Sequence, residues 1–188
     1  NLHNARELFQ SVLQSTFEQK GDDWVETTLG DVYDVRDGTH DSPKYQEEGH
    51  PLITSKNLKR DGLNYDKVKF ISDSDLEKIN ERSKVDQGDV LFAMIGTIGN
   101  PVVVRTEVDF AIKNVALFKT GNHDGQFLRY YLESGFVIDK MAREAKGTTQ
   151  KFVGLGYLRG FPISFPTTTQ QKAIVQKLDA LAPQTRPL

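Results

Sequence analysis

The chain has 188 residues, 37% hydrophobic and 10% aromatic, enough for one domain with an ordinary buried core and a helical appendage. Its formal net charge of −2 excludes a uniformly basic surface, so a polyanionic partner would have to meet positive charge gathered on one face. It contains no cysteine, which excludes a disulfide framework, a thiolate metal site and a thiol nucleophile; nothing resembles a signal peptide, and no apolar run nears the roughly 20 residues that span a bilayer. The expectation is a cytoplasmic protein with no membrane partner. Asn1 in place of Met, with the first residues already helical in pattern, points to a fragment or a processed chain.

Residues 2–17 carry Leu2, Ala5, Leu8, Phe9, Val12, Leu13 and Phe17 at three-and-four spacing, the stripe of an amphipathic helix that needs a partner. Gly21-Asp22-Asp23 closes it. From Trp24 to about residue 120 the pattern is short β segments between turn residues such as Asp37-Gly38, Gly49-His50-Pro51 and Asp61-Gly62. Pro51 to Thr54, Val68 to Ile71, Val102 to Val104 and Phe110 to Lys119 read as strands. Val90 to Ile95 is a continuous apolar run, expected to be buried on both faces. One helix interrupts the strands, capped by Ser72 with Asp75 three residues on, and with Leu76 and Ile79 inward. Asp124 caps a later helix with Phe127, Leu128, Tyr131 and Leu132 inward, broken near Ser134-Gly135 and continuing to Ala145, with Gly147 suited to its C-terminal cap. An irregular stretch from 147 to 160 and an extended Phe161 to Pro166 precede a final helix. That helix starts near Thr168 or Thr169, buries Ile174, Leu178 and Leu181, and ends by Pro183. The fold class is α+β, a mixed, mostly antiparallel β domain flanked by N- and C-terminal helices.

The sequence offers no catalytic centre, and neither a metal nor a cofactor is expected. Asn100-Pro101 is followed by Val102 and Val103, so the tetrapeptide that grips a flipped base in DNA methyltransferases is absent. Gly96-Thr97-Ile98-Gly99 leads into another strand, leaving no helix N-terminus to hold a phosphate. Asp89 opens a strand with no Glu-x-Lys after it, as a metal-dependent nuclease would want. His3, His40, His50 and His123 lack the spacing of zinc ligands, and there is no Gly-x-Ser-x-Gly elbow.

Four stretches occur in order along nearly the whole chain. Trp24 to Asp31 (WVETTLGD) follows directly on a helix with Ser11, Leu13 and Phe17. Asp37-Gly38-Thr39-His40 is followed by Pro43, Tyr45, Gly49 and Pro51-Leu52-Ile53-Thr54. Gly88-Asp89-Val90-Leu91-Phe92 leads to Gly96-Thr97-Ile98-Gly99. Gly147-Thr148-Thr149-Gln150 leads through Phe165-Pro166 to Gln170-Gln171-Lys172-Ala173-Ile174-Val175 and Lys177-Leu178-Asp179-Ala180-Leu181. Together they resemble the target-recognition domain of the specificity (S, HsdS) subunit of type I restriction-modification systems. The resemblance implies a non-catalytic reader of double-stranded DNA that directs separate methylation and restriction subunits. In that family two recognition domains each read half of a split target, and the helices between them dock the methylation subunits. It also implies a division into residues 1–20 as the end of a conserved helix, 21–166 as the recognition domain and 167–188 as the start of the next helix. The chain departs from the full pattern in holding one recognition domain, as half of a two-domain subunit or as a half-size subunit forming a homodimer. Pro187 after Arg186 puts in doubt an intact spacer helix.

DNA binding draws on phosphate neutralisation and on side chains at base edges. Between 140 and 159, Lys140, Arg143, Lys146, Lys151 and Arg159 stand against Glu144 alone, and Thr148, Thr149 and Gln150 offer hydroxyls and an amide between them. Lys146, Thr148, Thr149, Gln150 and Lys151 are the DNA-contact candidates here; the alternative is a solvated helix face with a capping loop. The second stretch, 40–60, offers Lys44, Lys56 and Asn57, with Ser55-Lys56-Asn57 as a base-edge loop or simply a surface turn. Lys113, beside Asn114 in a strand, faces DNA or the core edge. Two rival functions stay open: a protein scaffold for methylation subunits, and a recognition domain cut from a fused restriction-methyltransferase.

Overall fold

The computed structural model describes residues 2–182. The side chain of Leu2 and everything from residue 183 on, including the expected helix end at Pro183 and the break at Pro187, lie outside the described residues.

Helix α1 (Leu2–Glu18) turns Phe9, Leu13 and Phe17 inward, whereas Leu8, expected in the same stripe, is 53% exposed. Strand β1 (Val25–Thr28) leads into a single helical turn, α2 (Leu29–Val32), capped by Thr28, and then into β2 (Asp34–Asp37). There follow β3 (His50–Ile53), a 3-10 turn (Ser55–Asn57), the hairpin of β4 (Leu58–Lys59) and β5 (Gly62–Leu63), and β6 (Lys69–Ile71). Helix α3 (Asp73–Ser83) begins where expected: Ser72 Oγ accepts from the Asp75 N–H. Strands β7 (Val90–Ala93), β8 (Gly99–Val103), β9 (Ala111–Ile112) and β10 (Val115–Lys119) complete the sheets.

Asp124 caps α4 (Gly125–Glu133), and the chain breaks at Ser134 before α5 (Gly135–Glu144). Helix α6 (Leu155–Gly160), β11 (Pro162–Phe165) and α7 (Thr168–Leu181) close the chain. Thr167 and Gln170 form a reciprocal cap on α7, and the Gln170 amide also donates to Asp23, tying the helix to the turn after α1.

The central sheet has the order β2-β10-β7-β8, antiparallel throughout. Alternate residues of β7 and β10 point to opposite faces, as pleating requires. Val90, Phe92, Ala116 and Phe118 face a layer built from α1, α4, α5 and α7. Leu91, Ala93, Val115 and Leu117 face a second core shared with Ile53, Leu58, Phe110 and Ile112. Both strands are therefore buried on both sides, which explains the unbroken apolar run. The three-stranded sheet β6-β3-β9 supplies the second core with one face and packs α3 on the other through Leu52, Ile71, Ile79 and Ala111. Its β3–β9 pairing is parallel, and every other strand pairing is antiparallel.

Four local expectations are corrected. The strand read from Val102 to Val104 starts earlier, with Asn100-Pro101 inside β8, where an edge position tolerates the missing proline N–H. The single strand expected from Phe110 to Lys119 is split at Lys113-Asn114, and Asn114 takes a left-handed φ of 54°. Gly147 does not cap α5, which ends at Glu144; it sits at φ 95° in the following loop, where a Cβ would lie 2.2 Å from Gln150 O. The stretch 147–160, read as irregular, contains α6.

Candidate nucleic-acid interface

The strand registers bring the candidate loops together. Asp37 pairs with Ala116, Val115 with Ala93, and Ala93 with Gly99, so the end of β2, the start of β10, the end of β7 and the start of β8 share one end of the central sheet. Leaving or entering that end are the connection after Asp37, the Lys113-Asn114 turn and the Gly96–Gly99 loop.

The loop from Lys146 to Val153 is stitched onto the same end. Lys146 and Phe152 exchange backbone hydrogen bonds (2.9 Å each). Gly96 N donates to Lys151 O (2.8 Å) and Val153 N to Met94 O (3.0 Å), so residues 151–153 continue the β7 edge beyond its end. Gln150 lies over Gly96, where a Cβ would come within 3.1 Å of its amide nitrogen. Lys146, Thr148, Thr149, Gln150 and Lys151 are all exposed, and no acidic residue occurs between 145 and 160. Phe152, which the sequence did not single out, is 39% exposed between these lysines.

The other candidates gather around Asn114. Lys113 is half-buried, and its ammonium donates to Ser42 Oγ (2.5 Å), which fastens the connection bearing the exposed Lys44. Ser55 Oγ reaches Asn114 O (3.5 Å), bringing in the 3-10 turn with the exposed Lys56. Asn57, expected to read base edges, is instead 5% exposed, with both ends of its amide engaged. Its Oδ1 accepts from Thr54 N (2.9 Å) and Thr54 Oγ1 (3.0 Å), and its Nδ2 donates to Asn64 O (2.9 Å). It holds the turn that presents Lys56 and is closed to a ligand.

Gly38 allows this crowding: a Cβ there would lie 2.2 Å from Ile112 O. His40 and Asn114, both at this end, face each other across it, with His40 Nδ1 2.7 Å from Asn114 Oδ1.

Charge is distributed unevenly between the two ends of the sheet. At the far end Lys119 is locked between Asp86 and Asp89, and its ammonium holds Asp86 below the usual carboxylate range. On α5, Lys140 pairs with Glu144 (2.5 Å), and that hydrogen bond, joined by one from Tyr157, lowers the Glu144 pKa. By contrast, Lys44, Lys56, Lys113, Lys146 and Lys151 make no ion pair with a carboxylate among the described residues. Among those residues no group of three or more His, Asp or Glu is placed to hold a metal, and no helix is long and apolar enough to cross a membrane.

The chain thus combines a four-stranded sheet with cores on both faces, polar loops and lysines without carboxylate partners at one end, and helices packed along one side. The profile of the type I restriction modification DNA specificity domain matches residues 21–186, and the chain belongs to that family. Its fold is shared with solved structures at low sequence identity. One, from work on complex assembly and conformational transition of the type I R-M system, is 21% identical with a TM-score of 0.74; the match covers 98% of this chain and 45% of that one. The HsdS subunit from Thermoanaerobacter tengcongensis is 20% identical with a TM-score of 0.70, over 98% of this chain and 44% of that one. The type I restriction-modification S subunit from M. genitalium is 13% identical with a TM-score of 0.62, over 98% and 50%. The chain thus spans about half the length of these relatives. No curated protein sequence matches it.

Proposed function

We propose that this chain is a sequence-specific DNA-recognition module of a type I restriction-modification system, reading one part of a target while separate methylation and restriction subunits carry out the bond-making. The observation that carries this reading is the gathering of five lysines without carboxylate partners, together with hydroxyl- and amide-bearing loops, at one end of a sheet buried on both faces. A rigid sheet fixes where the loops stand. The lysines neutralise phosphates, and the polar side chains between them meet base edges. Residues 21–166 form the reading domain in this proposal. Residues 1–20 and 167–188 are the parts that dock a methylation subunit, and a second recognition domain, on the same polypeptide or on another copy, reads the other half-site.

Selection from a randomised duplex pool, with the chain alone and with its methylation subunit, tests the reading. The expected result is enrichment of one short motif, with affinity falling steeply as salt rises. A pool left without any enriched sequence would reject it in favour of a protein scaffold.

A further inference from the structure

Asn114 is held on all sides but one. Its N–H donates to Thr39 O (3.1 Å), its carbonyl accepts from Ser55 Oγ (3.5 Å), and its Oδ1 faces His40 Nδ1 at 2.7 Å. The remaining group, the two hydrogens on Nδ2, makes no hydrogen bond among the described residues. The residue is half-buried, so the amide is fixed in place yet reachable.

His40 is fixed in turn. Its Nε2 lies 2.9 Å from Asp37 Oδ2, and Asp37, 4% exposed, also accepts from the Arg82 guanidinium. The ring is thereby held between a carboxylate oxygen of Asp37 and the amide oxygen of Asn114. A buried carboxylate paired with arginine thus sets the ring, and the ring sets the amide. With Oδ1 occupied by His40, the Asn114 side chain has only donors left to offer.

We infer that Asn114 is a sequence-reading residue whose Nδ2 donates to an acceptor on a base edge, with His40 as the positioning residue that aims it. This rests on the DNA-recognition reading above. The acceptors of the major groove that suit it are guanine O6 and N7, thymine O4 and adenine N7. A phosphate is served as well by any flexible lysine. An uncharged planar amide held at one angle, among free lysines, suits a directional contact instead.

Asn114→Gly removes the amide and keeps the left-handed backbone without strain. Asn114→Asp keeps the shape and replaces the donor with an acceptor. In selections from a random duplex pool, Asn114→Gly is expected to lose roughly 5- to 20-fold preference at one base pair and keep the rest of the motif. Asn114→Asp is expected to shift that position toward a base presenting an amino group. His40→Ala blurs the same position, and His40→Gln restores it, because one NH2 group can donate to both Asp37 and Asn114. The inference is overturned if both Asn114 variants select the wild-type motif, or if they lose affinity equally for all sequences, as a phosphate contact would. A wild-type chain that enriches nothing rejects the recognition reading itself, which separates the two failures.

Discussion

Lys146 and Lys151 flank a loop that carries no negative charge, and neither side chain has a competing partner among the described residues. In the proposed reading their contribution to a duplex is electrostatic and blind to sequence. Lys146→Ala and Lys151→Ala are therefore expected to weaken binding to all duplexes alike and to reduce the slope of log K against log salt by about 1 each. A titration over several salt concentrations checks this; an unchanged slope places the loop away from DNA. Asn57 behaves differently. It is buried and anchors the turn beneath Lys56, so Asn57→Ala leaves the Thr54 N–H and the Asn64 carbonyl without their partner. The expected loss is about 1–3 kcal/mol of stability, measured by urea unfolding, with the selected motif unchanged. Sequence reading could not separate these cases, because a polar residue in a turn after a strand looks the same whether its amide faces water or the backbone. Gln171 in α7, wholly buried with its amide donating to Pro166 O (3.0 Å), shows the same ambiguity on a helix.

Among the elements, the helices with a strong period are legible in the sequence, α1, α3, α4, α5 and α7, and for α3 and α4 so is the capping residue. The ones missed have their causes elsewhere in the chain. Strand β1 reads VETT, with no apolar alternation, and exists because it pairs with β11 almost the whole chain away. Helix α6 has glycine at 156 and 160 and follows Gly154, which disfavours a helix, yet Leu158 is wholly buried and Phe161 beside it nearly so. The break between β9 and β10 is invisible in hydrophobicity and comes from one asparagine in a left-handed conformation.

The three-stranded sheet carries a pH-dependent tie at this same scale. His50 opens β3 with Nε2 2.8 Å from Asp73 at the start of α3, and Nδ1 2.6 Å from Asp109 ahead of β9. The hydrogen bond with Asp73 raises its pKa above the ordinary 6.5, partial burial opposes this, and Asp109 adds to the rise. A pKa raised in the folded state gives stability that is fully present below pH 6.5 and lost as pH climbs through the folded value. The melting temperature of the wild type should accordingly exceed that of His50→Gln by most at the acid end, below pH 6.5, with the difference shrinking as pH rises through the folded value. A difference that does not vary with pH removes the charged tie.

For the molecule as a whole, the division of labour follows the sheet. Its middle is apolar on both faces, its far end is closed by Lys119 with Asp86 and Asp89, and its near end carries the free lysines and amides. A net charge of −2 conceals this asymmetry, since an average over the chain cannot show where cations are left unpaired. The family was readable from four ordered stretches of glycines, prolines and core residues, which specify the scaffold. That the candidate loops share one end of the sheet was not readable, because they converge from segments more than 100 residues apart.

One consequence follows from how Lys146 and Phe152 close their loop through backbone atoms alone. The side chains at 148 and 149 make no hydrogen bond among the described residues and Gln150 only lies over Gly96, so the bracket persists when they are exchanged. A library randomised at these three positions is expected to retain the parental melting temperature within a few degrees in most members. Some of its members would acquire altered targets, so that retargeting becomes a matter of exchanging a short tip on an unchanged frame. Broad collapse of such a library would mean that the tip itself helps to hold the frame together.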